Sequence, residues 1–164
     1  MLIAAVGIER LAEVLVAERN RRWSLDRGGF EVGSRHYPVM VVLHTALLAG
    51  CLLETAALHR PFIPALGFSM LALVVAAQVL RWWCITTLGH QWNTRVIVVP
   101  GAQRVTGGPY RLIPHPNYVA VIVEGIALPL VHGAWLTAVV FTLLNAALLK
   151  TRVEVENAAL AGLR

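Results

Sequence analysis

Residues 119–149 read VAVIVEGIALPLVHGAWLTAVVFTLLNAALL, an apolar run interrupted chiefly by Glu124, Pro129, His132-Gly133 and Asn145. A straight helix of that length would be ~45 Å long, against a hydrocarbon core of about 30 Å. Pro129 and then His132-Gly133 are helix breakers. The run therefore predicts a hairpin of two helices, the second continuing past Lys150 into water. Composition points the same way. Of 164 residues, 57% are hydrophobic and 14% charged, with a mean hydropathy of +0.66. A soluble domain of this size cannot bury that much apolar surface, so the chain reads as an all-α integral membrane protein.

Working outward, residues 38–58 and about 61–83 predict two more spans, joined by the turn His59-Arg60-Pro61. Residues 1–17 are apolar apart from Glu9, Arg10 and Glu13, which suits a first span or an interfacial helix. Glu9 and Glu13 are four apart and share one face, which favours a span with polar residues turned to the bundle. That makes about five transmembrane helices in one domain, 1–164. Its N-terminal three-helix part is 1–83 and its C-terminal part 84–164. Residues 18–37 form a polar connection in which Gly28-Gly29 and Gly33 break any helix. Residues 84–117 are the largest non-apolar stretch. Within it the β-branched run 95–99 predicts an extended segment.

That connection ends in Gly107-Gly-Pro-Tyr-Arg-Leu-Ile-Pro-His-Pro-Asn-Tyr118. Pro109, Pro114 and Pro116 fix φ at their own positions and push Gly108, Ile113 and His115 away from the α region. His115, between two prolines, is a polar side chain held rigid at the mouth of an apolar helix. The stretch is either a built site or an irregular membrane-surface loop.

The net charge of +5 does not point to nucleic acid, because the basic residues cluster between apolar runs as topology signals do. Arg19, Arg21, Arg22, Arg27 and Arg35 lie in the first connection. Arg81, Arg95, Arg104 and Arg111 lie around the third-to-fourth connection, and Lys150, Arg152 and Arg164 at the C-terminal end. These twelve of fourteen fall on one side if the N-terminus is outside and the C-terminus cytoplasmic; Arg10 and Arg60 remain. Cys51 and Cys84 each sit in an apolar run and read as buried free thiols. No metal-ligand spacing, P-loop, dinucleotide fingerprint or nucleophile elbow occurs.

Polar residues on apolar helices need partners. Asn145, Leu149, Arg152 and Glu156, spaced four, three and four, form one stripe on the last helix. That stripe is either part of a site or a solvated helix end with an Arg–Glu pair. Glu124 needs a partner, which Asn145 or Arg152 would supply. His44 is a lone histidine on an apolar helix, and His36 marks the entrance to the second span. Tyr37, Trp82, Trp83, Trp92 and Tyr110 read mainly as interfacial aromatics.

Leu80-Arg81-Trp82 and Leu88-Gly89, then Gly108-Pro109-Tyr110-Arg111, His115-Pro116-Asn117-Tyr118 and later Arg152-Val-Glu-Val-Glu156-Asn157, resemble the isoprenylcysteine carboxyl methyltransferase family. That family carries Arg-His-Pro-x-Tyr and a later Arg-x-x-x-Glu-Glu. The resemblance covers roughly residues 80–160. It implies an S-adenosylmethionine-dependent O-methyltransferase whose cofactor binds among the C-terminal helices, with a lipophilic acceptor entering from the bilayer. It implies cofactor contacts at His115, Pro116, Tyr118, Arg152, Glu156, Asn157 and Tyr110, with Arg152, Glu156 and His115 catalytic. Residues His36, His44, Trp92 and Glu124 are then the candidates for the acceptor. Pro114 stands where the family usually has Arg, and Asn157 where it has a second Glu. Both changes point away from a prenylcysteine carboxylate. Arg19-Asn20, Arg27-Gly28-Gly29, Glu31, His36-Tyr37-Pro38 and His44 are similar to a bacterial branch that accompanies type III polyketide synthases. That branch implies an alkylpyrone or related polyketide lipid as acceptor and a bacterial inner-membrane location.

Methyl transfer from a sulfonium chiefly requires alignment and exclusion of water. Rival readings are methyl esterification of a prenylcysteine, an NADPH-dependent membrane lipid reductase, and a non-enzymatic assembly subunit. The charge partition yields a topology test. Cysteine labels or reporter fusions near Arg27 and at Gly101 are expected on the same side as the C-terminal end. Gly101 on the opposite side would overturn it.

Overall fold

The structure, a computed structural model, describes residues 1–161. Five α-helices run in the order α1 (Leu2–Leu25), α2 (His36–Ala57), α3 (Pro64–Leu88), α4 (Pro116–Leu130) and α5 (Trp135–Ala161). Two short strands, β1 (Phe30–Val32) and β2 (Val96–Val98), pair antiparallel with Glu31 opposite Ile97. The extended segment expected at 95–99 is thus half of a ribbon that ties the first connection to the third. By length and composition α2, α3 and α5 can cross a membrane. At 15 residues α4 is shorter, and α1 carries Glu9, Arg10 and Glu13.

α1 is longer than its apolar part. The helix continues through the arginine-rich segment to Leu25 and stops at the turn before Gly28, whose φ is +75°. Its length matches the bundle. Ile3 and Val6 pack with Leu47, Cys51, Val74, Leu128 and Val131 at one end, and Ala17 packs with Ile85 and Trp92 towards the other. The hairpin break also differs in detail from the expectation. Pro129 lies inside the last turn of α4. The chain turns at residues 131–134, where Gly133 has φ +70°.

α3 and α4 form the most extensive helix pair. α4 and α5 approach closely at Gly125, where an added Cβ would stand 2.2 Å from Phe141 Cε1. At the same end as the hairpin turn, Glu54 on α2 holds the start of α5. Its carboxylate accepts from the amides of Leu136 (3.2 Å) and Thr137 (2.7 Å), from Thr137 Oγ1 (2.8 Å), and from Arg60 (3.0 Å). A carboxylate here meets the orphan amides and the positive end of the helix dipole.

The middle of the bundle holds a charge cluster that changes three readings. Arg10 of α1 donates to Glu13 and Glu124, Arg81 of α3 donates to Glu124, and Arg81 Nε lies 3.3 Å from Glu13 Oε1. Gln78 adds a hydrogen bond to Glu124 at 3.2 Å. Arg81, 4% exposed, is therefore not a boundary charge. Arg10 is not a stray on the far side. Glu124 is satisfied by α1 and α3 rather than by Asn145 or Arg152. A charge among apolar helices persists only when paired.

Glu124→Gln leaves two guanidiniums sharing a neutral partner. It is expected to destabilise the detergent-solubilised protein by about 3 kcal/mol, read as a lower thermal midpoint. Glu154→Gln, on the exposed side of α5, is expected to leave the midpoint unchanged, and equal midpoints for both variants would show that the cluster carries no stability.

Candidate functional site

The third connection, from α3 to α4, is fastened to α1 by two side chains. Asn20 Nδ2 donates to the carbonyls of Gly89 (3.0 Å) and Trp92 (2.8 Å), and Asn93 Nδ2 donates to Ala17 O (3.0 Å). Arg95 binds both oxygens of Glu31 on β1 at 2.8 and 3.0 Å, and its guanidinium lies 3.7 Å from the Tyr37 ring centroid. Gly108, at φ +55° and packed on Thr87, begins a 3₁₀ turn over residues 108–111, and buried Pro109 follows it. Beyond that turn His115, at φ −130° and ψ 63°, opens α4. The proline-fixed backbone thus places the imidazole beside the end of α5.

There His115 Nδ1 lies 3.7 Å from Glu156 Oε1, and Nε2 lies 3.2 Å from Asn157 Oδ1. Its ring stacks on Tyr118 at 5.4 Å between centroids with an 18° interplanar angle. The Tyr118 hydroxyl donates to Glu156. Arg152 turns the other way: Nη2 donates to Thr94 O at 2.8 Å, Nη1 meets the Met40 sulfur, and the guanidinium lies 5.8 Å from the Tyr118 centroid. At 5% exposure Arg152 is no solvated helix end, and Glu156 pairs with His115 and Tyr118 instead of Arg152. An i, i+4 spacing allows such a pair without compelling it, and both groups find better-placed partners on other elements.

Two cavities meet here. One, about 580 Å³, lies under the ribbon and the third connection and is lined by Arg95, Arg104, Tyr110, His115, Tyr118, Arg152, Glu156 and Asn157, among others. The second, about 320 Å³, lies among the helices, with walls from α1, α2, α4 and α5 that include His44, Glu124 and Asn145. Trp92, Asn93, Asn117, Tyr118 and Arg152 line both. Within this shared wall Trp92 Nε1, Asn117 Oδ1 and Arg152 Nε are buried and have no hydrogen-bond partner among the described residues. Buried polar atoms are normally paired, so a cluster of orphans marks a place where a ligand completes the bonding.

Two residues read from the sequence reach neither cavity. Pro116 is fully buried as the first residue of α4, where its fixed φ starts the helix. His36 sits against Gly33, outside both linings. Trp92, read mainly as an interfacial aromatic, is 3% exposed and forms part of the shared wall. Glu124 lines the second cavity with its carboxylate already committed to Arg10, Arg81 and Gln78. Asn93 and Arg104 carry no pattern that separates them from ordinary loop residues. Asn117 lies inside the His-Pro-x-Tyr motif, at its variable position.

Residues 70–162 match the isoprenylcysteine carboxyl methyltransferase (ICMT) family, more than half of the chain. The chain belongs to this family. A protein of Bacillus subtilis (strain 168) named "Uncharacterized protein YpbQ" is 35% identical over 161 residues, covering 98% of this chain and 95% of that one. No solved structure matches the chain. Family membership implies methyltransferase activity, and the apolar helices make this a multi-pass membrane member. The matched stretch takes in the connection, α4 and all of α5, and so nearly all of the larger cavity. The α1 wall of the smaller cavity, and its α2 wall, fall outside it.

Both ring nitrogens of His115 face oxygen atoms, an arrangement that suits the imidazolium, and Glu156 raises its pKa above the ordinary 6.5. With the folded value raised, the pair's contribution is complete below about 6.5 and fades as pH rises through the folded value. Burial pushes the Tyr110 phenol up, so it stays a neutral donor at the cavity wall. An NMR titration of His115 is expected to give a midpoint above 6.5 that falls back in Glu156→Gln. The same midpoint in both proteins would contradict the coupling.

Proposed function

We propose that this chain transfers a methyl group from S-adenosylmethionine to an oxygen of a lipophilic acceptor, an alkylpyrone or related polyketide lipid. The observation that carries this reading is the shared wall: a polar cavity beneath the connection abuts an apolar cavity among the helices. The larger cavity falls within the usual size range of small-molecule sites. Its residues suit the donor, since Glu156, Asn117 and Asn157 offer acceptor oxygens to ammonium and hydroxyl groups, and Arg104 and Arg152 suit a carboxylate. His115, Tyr118, Glu156, Asn157 and Tyr110 would hold it. When bound, S-adenosylmethionine supplies a methyl group on a positively charged sulfur.

The chain's own residues do the rest. Trp92 and Tyr118 separate the two cavities and exclude water from the junction. Arg152 presents an unpaired Nε at the shared wall, where it favours a negatively charged acceptor oxygen. His115 and Asn157 fix the far side of Glu156's surroundings, so that the carboxylate stays aimed along the cavity. The smaller cavity lets an alkyl tail remain among the helices while the head reaches the junction. Exposed Leu11, Val14 and Val41 flank it on α1 and α2. Its place is the bacterial inner membrane, with the N-terminus outside and the polar end of the bundle in the cytoplasm.

Calorimetry with S-adenosylhomocysteine and with NADPH tests the cofactor. Binding of the first alone is expected, weakened about tenfold or more in Arg152→Ala and in Glu156→Ala, the scale of one lost charged hydrogen bond. Normal binding by both variants would remove the stripe from the site. Competition among alkylpyrone, alkylresorcinol and N-acetyl-farnesylcysteine with labelled donor tests the acceptor. Preferential esterification of the farnesylcysteine would return the chain to the carboxyl reaction of its family's name.

A further inference from the structure

On the α2 wall of the apolar cavity His44 has unused bonding capacity, as Asn145 Oδ1 has on the α5 wall. His44 Nδ1 stands 2.9 Å from the Met40 carbonyl oxygen. A carbonyl only accepts, so Nδ1 carries the hydrogen. The ring meets Phe141 edge-on at 5.3 Å between centroids. The neighbourhood already holds Arg10 and Arg81, both committed to Glu124. A further positive charge in this apolar place is costly, so the ring is neutral. Nε2 is then a bare lone pair. Nothing among the described residues donates to it: the guanidiniums nearby serve Glu124, and Arg152 serves Thr94 O.

Resting on the reading of this cavity as the acceptor site, we infer that His44 selects the acceptor by taking a hydrogen bond from a hydroxyl on its head group. The ligand class is then a long-chain lipid whose head carries a free O–H, a phenol or an enol. A carboxylate has no hydrogen to offer and sets its oxygens against a lone pair in apolar surroundings, which is unfavourable. The position is apt. Met40, one helical turn or about 6 Å from His44 along α2, touches Arg152 of the shared wall. A ring held by His44 therefore lies beside the junction.

The test uses the full chain in lipid nanodiscs, with ¹⁵N-labelled histidines and no methyl donor. The His44 signals are assigned by their loss in His44→Phe, or in His44→Gln should the first variant not fold. A long-chain alkylphenol and a fatty acid of the same length are titrated at about pH 8, between the ordinary ranges of a carboxylic acid and a phenol. A pyridine-type Nε2 signal is expected, moving with the alkylphenol and not with the fatty acid. In His44→Phe the alkylphenol is expected to bind about tenfold more weakly, as for a lost buried hydrogen bond, with fatty-acid binding unchanged. Equal shifts with both ligands, no shift with either, or a doubly protonated His44 would overturn the inference. Calorimetry with S-adenosylhomocysteine on the same samples separates the two readings. Donor binding without discrimination at His44 sinks only this inference, while discrimination without donor binding sinks only the methyltransferase reading.

Discussion

A charge inside an apolar bundle must find its opposite there, and the rest of this structure is arranged around that requirement. Arg10, Glu13, Arg81 and Glu124 come from α1, α3 and α4, and each has its partner on another helix or one turn away. The cluster fixes the rotation of α1, because turning that helix by one residue would swing Arg10 away from Glu124 by about 100°. It also holds α3 and α4 in register with each other. Against that fixed frame the smaller cavity keeps its shape, with paired charges on one wall and mostly apolar side chains on the others, among which His44 and Asn145 stand out.

The polar end of the molecule depends on a different device. Asn20, Asn93 and the β1–β2 ribbon fasten the third connection to α1 and to the first connection. Parts of the chain more than sixty residues apart therefore roof one cavity, as the spacing of Glu31 and Arg95 shows. Local stiffness comes from the prolines and long-range order from the asparagines. His115 needs both, since its backbone is set by its neighbours and its imidazole by Glu156 and Asn157 on α5.

The helices were legible because hydrophobic runs and breakers act locally. The apolar run at 119–149 divides as its proline and glycine imply, and the β-branched run at 95–99 is extended. The stripe on α5 was visible as spacing, but its pairing was not. Arg152 and Glu156 share a face and still choose Thr94, Met40, Tyr118 and His115, groups that only the tertiary fold brings near. Arg81 and Arg10 were misplaced for a related reason. Counting charges by their distance from an apolar run treats each as an interface residue and has no means of seeing a partner on another helix. Asn20, Asn93 and Asn117 act through backbone carbonyls or as unpaired atoms, roles that leave no periodic trace in a sequence.

The clamp at Glu54 bears on how the protein is made. Glu54 precedes the amides it accepts by 82 and 83 residues, so during synthesis it waits in the membrane with Arg60 for company. The first turn of α5 forms against an acceptor already in place. The starting point of the last helix is therefore written largely in α2, and α5 is not a portable module: grafted onto another scaffold, it would arrive with the donors of its opening turn and without the carboxylate that receives them.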